Sequence, residues 1–475
     1  MRIYFKLAYF QINEFSNFQI ILMAGHSHFS PSNVEEHFEF TAEGRKRVIY
    51  AFLAGTIALI VGIFLLSRGE HDAAHAVAEH GGTAGHEAAN AVAEHGSHES
   101  GGANSHHDSY NWTTRIWANL WLNSVFFTGI AVIGMFFVSI QYLAKAGWSS
   151  VVKRVAEAFP PFLIITGSIM ILVFLFKGDV LFHWMHEGIT VKGSENYDKI
   201  IAGKSGYLNK WFFVGRMVFF FAGWLILWNW MRKKSLAEDL EGGTENFYSM
   251  VKIGTIFILL MGISSSMGAW DWVMSIDAHW FSTMFGWYMF SSWHVTGLAT
   301  LTLTVLLLKD KGYMQYVNFN HLHDLGKFMF AFSIFWTYVW FAQFLLIYYA
   351  NFPEETIYFL ERWEGHDKIY KATEILSVFF NFFFPFLVMM SRDAKRTPIF
   401  LKICCVFIIV GHYLDFFQMI MPGTVGKHGG YGLVEFGMVA MFASAFVYVV
   451  SVQLTKASLI AKNHPFLEEA LHHDI

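Results

Sequence analysis

The sequence predicts an all-α, polytopic membrane protein of about ten transmembrane helices. Roughly ten apolar runs long enough to cross a bilayer fill most of the 475 residues, and hydrophobic residues make up 55% of the chain against 15% charged. Ionisable residues recur inside those runs, where lipid penalises them, which points to work on charge or protons. A hydrocarbon core of about 30 Å needs on the order of 20 apolar residues at about 1.5 Å each. By that measure spans fall at 47–67, 117–143, 159–179, 211–231, 252–270, 285–308, 327–350, 372–390, 399–421 and 432–454.

Residues 1–46 read as a polar arm, with a start expected at Met23, because the preceding stretch scatters Asn, Gln and Glu and has no small-residue cleavage site. Span 1 is then an uncleaved anchor. Residues 68–116 form a linker rich in Ala, Gly, Glu and His, with AVAEHG at Ala76–Gly81 and again at Ala91–Gly96. It holds too little apolar bulk to offset ordering entropy, so a flexible segment with at most fragmentary helix is expected. Its histidines, His71, His75, His80, His86, His95, His98, His106 and His107, suit Zn or Ni, but no Cys or fixed scaffold sets a coordination geometry. A solvated linker is the plainer reading, and no metal site is expected.

Lys and Arg cluster before span 1 (Arg45, Lys46, Arg47) and after spans 2 (Lys145, Lys153, Arg154), 4 (Arg232, Lys233, Lys234), 6 (Lys309, Lys311) and 8 (Arg392, Lys395, Arg396). These positions share one face, which the positive-inside rule makes cytoplasmic. Both termini then lie inside, including the tail at 455–475. The net charge of -4 says nothing about partners, since charge is sorted by side of the membrane, and no basic patch of the kind nucleic acid requires is present.

Cys404 and Cys405 are the only cysteines. Neighbours on a helix cannot form an ordinary disulfide, and two thiolates cannot hold a four-Cys cluster. With no CxxCH motif either, any iron–sulfur or attached haem centre belongs to another subunit. The chain also lacks a glycine-rich phosphate loop.

The candidate chemistry lies inside the membrane. His294 and His412 sit about nine residues in from the outer ends of their spans, roughly 14 Å deep. Asp415 follows His412 at i+3, on the same helical face. Tyr338, Gln343, Glu374 and Glu435 occupy comparable or shallower outer depths. Two imidazoles at equal depth suit either a b-type haem or a proton relay. Haem pairs usually need glycine-rich helix faces, and Gly411 is the only glycine near His412, so the relay is preferred. Its outer part is expected to be His294, His412, Asp415 and Glu435. Its inner part must rest on hydroxyls such as Thr300, Thr302, Thr304, Ser333 and Thr337. A buried structural hydrogen-bond network is the plainer alternative. A second outer group, Asn119, Asn123, Lys177, Asp179, His183, Arg216 and Asp271, converges if spans 2–5 bundle. His183, Arg216 and Asp271 are the candidates to hydrogen-bond a quinone, although Lys177 and Arg216 also suit snorkelling anchors.

The run Trp270–Tyr288, WDWVMSIDAHWFSTMFGWY, resembles the signature of the ActF subunits of bacterial alternative complex III, members of the NrfD/PsrC-like family. Within it stand Trp270, Asp271, Trp272, Asp277, His279, Trp280 and Phe281. HLHDLGKFMFAF at His321–Phe332 and QFLLIYYANFPEET at Gln343–Thr356 agree. The resemblance covers spans 2–10 and leaves the His-rich linker outside it. It implies two four-helix bundles, at 117–270 and 285–421, joined by an outer loop at 271–284 and flanked by single spans 1 and 10. It further implies a quinol:cytochrome c or high-potential acceptor oxidoreductase in the bacterial inner membrane. This chain would carry no redox cofactor of its own, with quinone or menaquinone as the ligand in question. Haem c and iron–sulfur clusters would sit on partners: multihaem cytochrome c subunits and an ActB-like protein, beside an ActC-like paralogue better placed for quinol oxidation, with a terminal oxidase and membrane lipid as further neighbours. The competing readings are an independent proton-coupled secondary transporter and a membrane cytochrome binding b haem.

Overall fold

The computed structural model describes residues 35–80 and 112–474, without the side chains of residues 69–80 and Asp367. The start expected at Met23 and the linker histidines from His71 to His107 therefore lie outside the described residues and side chains. Among the described residues ten helices are long and apolar enough to cross a membrane. We number them α1 (Ala42–His80), α2 (Trp112–Leu143), α3 (Lys153–Leu181), α4 (Lys210–Glu241), α5 (Glu245–Trp272), α6 (Met284–Asp310), α7 (Phe319–Ala350), α8 (Ile369–Met389), α9 (Pro398–Val425) and α10 (Leu433–Leu454). The chain is an all-α, multi-pass membrane protein.

Helices α2–α5 pack as one four-helix bundle and α6–α9 as a second, and α2 and α6 form the seam between them. These two are the most buried helices of the ten. The flanking helices are not solitary. α1 lies along α10, and α10 rests on α2. Small residues let the pair approach: a Cβ on Gly437 would stand 2.6 Å from the Leu59 nitrogen and 2.8 Å from the Gly55 oxygen. The rest of α1 turns Ile57, Ile60 and Phe64 outward, as lipid contact requires.

Helix boundaries differ from the sequence expectation where local chemistry intervenes. α1 continues to His80, two turns and more into the expected linker. α3 begins as a short turn at Lys153–Glu157 and passes through a 3-10 segment at Pro160–Phe162, because consecutive prolines lack the N–H groups an α-helix needs. In α8 the turn Phe379–Phe383 widens to a π-helix just before Pro385, and Pro422 lies inside the last turn of α9. Asp271 and Trp272 extend the last turn of α5 rather than beginning the loop. An eleven-residue amphipathic helix, Pro353–Trp363, caps the second bundle; proline at its first position and Glu354 and Glu355 after it complement the helix N-terminus.

The described chain ends meet at the basic end. The Leu459 N–H donates to the Glu36 carbonyl, the Glu39 N–H contacts the Tyr313 hydroxyl, and the tail runs on to stack His473 against Trp148. Beneath it a compact set of ion pairs ties α3 and α4: Lys153 with Glu238 at 2.6 Å, and Arg154 with Glu157 at 3.1 Å and Asp239 at 2.5 Å.

Candidate functional site

The second bundle encloses a polar seam built on α9. Gly411, His412, Asp415 and Gln418 recur at helical spacing and all are buried. Asp415 is held by neutral donors only: the Tyr288 hydroxyl, the Ser292 hydroxyl at 2.6 Å and the Trp336 indole N–H at 3.1 Å. Among the described residues no Lys or Arg pairs with it. His412 lies edge-on to Trp336, its Nδ1 3.6 Å from Asp415, too long for a hydrogen bond, and neither ring nitrogen has a partner among the described residues. Asp415 is ten residues from Val425, about 15 Å of helix from the end opposite the basic one.

Towards that opposite end the seam continues. Glu374 on α8 accepts the Trp340 indole N–H at 2.8 Å, again a neutral donor. Glu374, Gln343, Gln418 and Tyr288 line a small cavity of about 20 Å³, closed by Tyr358 and Arg362 of the Pro353–Trp363 helix. Arg362 lies 3.4 Å from the Tyr358 ring centroid, and Trp280 stacks on that ring at 3.9 Å. Arg362 also donates to the Gln418 carbonyl at 3.1 Å and to Asp277 at 2.8 Å. Burial pushes the Tyr358 hydroxyl above its ordinary range despite the neighbouring Arg362 cation, so it holds its proton.

Outside this plug opens a cleft of about 1450 Å³ lined by Tyr358, Asp277, His183, His186, His279 and Asp198 among others. Burial works against ionising Asp198, but the Ile201 N–H and the His279 ring, 2.5 Å away, outweigh it and hold the carboxyl below its usual range. A track of polar side chains, interrupted by the small cavity and by the 3.6 Å gap at His412, thus leads from the cleft through Asp277, Arg362 and Tyr358 to Glu374, Asp415 and His412.

On the other side of His412 the track thins. Ser377 and Asn381 extend the polar face of α8; the Asn381 amide donates to the Ser377 hydroxyl at 3.2 Å, and its oxygen has no partner among the described residues. A Cβ on Gly411 would fall 2.2 Å from that oxygen, so glycine is what lets α8 close on α9 here. The hydroxyls of Thr300, Thr302, Thr304 and Thr337 each donate to the carbonyl four residues back, at 2.7–2.8 Å. Among the described residues, only the Ser333 hydroxyl of the expected inner set is buried without a partner.

Several expected members stand apart. His294 sits in a separate cage of Phe136, Phe290 and Phe332, so the two deep imidazoles share no ring neighbour. Tyr338 is 66% exposed and faces lipid. Glu435 caps α10 through the Gly432 N–H and is clamped by Arg115 at 2.7 and 2.8 Å and by Asn119 at 2.9 Å. That clamp uses up its oxygens in joining α10 to α2.

In the first bundle Arg216 grips Asp271 with two hydrogen bonds, at 2.7 and 3.0 Å, and donates to the Tyr207 carbonyl at 3.1 Å. Arg216 and Asp271 are buried, whereas His183 lines the outer cleft beside His186. The three candidates for quinone binding are therefore not gathered at one surface. Of the remaining motif residues, Trp272 packs against Trp224 and Phe221, the Trp270 indole nitrogen is buried without a partner among the described residues, and Phe281 is exposed.

Cys404 and Cys405 are buried free thiols. Among the described residues no group of three or more His, Cys, Asp or Glu side chains has metal-holding geometry. Sequence reasoning missed Tyr288, Ser292, Trp336, Asn381, Arg362 and Arg115. Tyr288 and Ser292 carried a signal, since i and i+4 polar residues share a face of α6. Comparison with protein-family models and with curated proteins finds no match to this chain.

Proposed function

We propose that this chain is the proton-conducting, cofactor-free membrane subunit of a quinol:acceptor oxidoreductase of the alternative complex III type. Its basic end, with both termini, faces the cytoplasm of a bacterial inner membrane. Redox centres sit on partners: an ActB-like iron–sulfur protein and multihaem cytochrome c subunits, with an ActC-like paralogue oxidising quinol. The observation that carries the reading is the pair of membrane-buried carboxylates, Asp415 and Glu374, held by neutral donors at the end of a polar track from the outer cleft. A carboxylate without a cation changes protonation without breaking an ion pair, which a carrier of protons requires. The ActF-like run supports the choice of complex, because its Asp277 and Trp280 build the plug at the head of that track.

The test is Asp415→Asn in the purified complex in proteoliposomes. Assembly and quinol oxidation stay largely intact, and proton uptake or release per electron falls. An unchanged proton stoichiometry, with His412→Ala equally silent, would make the cluster structural. A second reading, a proton-coupled secondary transporter, is favoured by the π-turn at the middle of α8 beside Asn381, since broken helices mark transporter sites. Mild detergent extraction separates the two: co-purification of haem and iron–sulfur subunits at fixed stoichiometry supports the first, and a solitary chain the second.

A further inference from the structure

Gln418 is 4% exposed, and neither the nitrogen nor the oxygen of its side-chain amide has a hydrogen-bond partner among the described residues. Two orphaned atoms on one buried side chain are costly, because each forfeits hydrogen bonds it had in water. Gln418 lines the cavity behind the Tyr358–Arg362 plug, whose volume of about 20 Å³ exceeds the roughly 10–15 Å³ that one water needs. Polar groups line that cavity from five segments: Tyr288 on α6, Gln343 on α7, Tyr358 and Arg362 on the Pro353–Trp363 helix, Glu374 on α8 and Gln418 on α9. A bound water needs two to four such partners.

We propose that this cavity is a water-binding site, anchored by Gln418, that joins Glu374 to Asp415 through Tyr288. The use assigned to the water rests on the proton-conducting reading; its binding does not. Glu374 forms part of the cavity wall, and Tyr288, which also lines it, already donates to Asp415. A proton leaving Glu374 adds to the water oxygen, the water passes a different proton to the Tyr288 oxygen, and Tyr288 passes its own hydroxyl proton to Asp415. The water and the phenol end unchanged, Glu374 is one proton poorer and Asp415 one richer. Gln418 fits the anchoring role because an amide both donates and accepts and does not itself titrate.

Radiolytic hydroxyl labelling of the complex in membranes, read by mass spectrometry with exchange into ¹⁸O water, tests the site. Radicals form from water, so a buried side chain is oxidised only where a water sits beside it. Met419 and Tyr288 line the cavity at 3% and 6% exposure and are expected to be labelled, while Trp224, at 0% in the first bundle, stays unlabelled. Gln418→Leu removes the anchor, and labelling of Met419 and Tyr288 is expected to fall to the Trp224 background. Unlabelled cavity residues in the wild type overturn the proposal whether or not the variant folds, and so does labelling that persists in a folded Gln418→Leu protein. Labelling as expected with a silent Asp415→Asn leaves the water site standing and removes the proton path. An effective Asp415→Asn without labelling does the reverse.

Discussion

The two bundles bury charge in different ways. In the first, the buried carboxylates each face a cation: Asp271 with Arg216, Glu238 with Lys153, Glu157 with Arg154 and Arg232. In the second, Asp324 near the basic end pairs with Lys327, but the deeper Asp415 and Glu374 face tyrosine, serine and tryptophan donors instead. A paired charge is fixed, since removing either partner strands the other in a poor dielectric. A carboxylate solvated by neutral dipoles keeps most of its hydrogen bonds when its proton number changes. On the proposed proton-conducting reading, the contrast makes the first bundle a scaffold and the second the working half.

The largest effect should come from breaking a pair in the scaffold. Arg216→Met leaves Asp271 buried and uncompensated, and is expected to cost about 3–5 kcal/mol of stability, read as a lower unfolding temperature in detergent. The double change Arg216→Met with Asp271→Leu should recover most of that loss. If the single variant costs no more than a surface substitution, the pair is not what holds that end together.

Asp415→Asn should cost less, about 1–3 kcal/mol, since shape is kept and one acceptor becomes a donor. A cost as large as that of Arg216→Met would erase the distinction between the bundles.

A smaller, pH-dependent effect belongs to His464 in the tail. Burial, with Lys153 and Arg154 nearby, holds its imidazole well below the usual range, so the folded protein keeps it neutral. The unfolded chain binds the proton first, so the stabilisation is complete above about pH 6.5 and declines as pH falls, at no more than about 1.4 kcal/mol per pH unit. Thermal unfolding between pH 7 and pH 5, approximately, should therefore be less acid-sensitive in His464→Gln than in the wild type.

The smallest effect is expected from Tyr338→Phe. Its ring faces lipid, so stability should move by less than about 0.5 kcal/mol and proton uptake not at all. A loss of proton uptake in this variant would place the path on the outer face of α7.

The ten spans were legible because bilayer thickness fixes their length and composition. What the apolar count missed was backbone chemistry within a span, as at Pro160–Pro161 and in the π-turn before Pro385. The outer helix did carry a start signature in Phe352–Pro353–Glu354–Glu355, outweighed by its lack of a long apolar run. At the site, His412 and Asp415 could be paired because i and i+3 share a face. Depth alone could not say which way a side chain points: His294 is as deep as His412, yet it lies two residues from Ser292, about 200° round the helix. Glu435 enters the expected relay for the same reason. Three residues after Gly432 it stands where a capping carboxylate belongs, and Arg115 lay just before the expected second span.

The central claim is that protons load onto carboxylates of the second bundle and not of the first. Infrared difference spectroscopy of the complex during quinol turnover reads carboxyl protonation directly. The account predicts a carbonyl band that shifts in heavy water, disappears in Asp415→Asn or Glu374→Gln, and survives Asp271→Asn and Glu238→Gln in protein that still assembles. A band that survives both second-bundle changes and vanishes with Asp271 or Glu238 would contradict it.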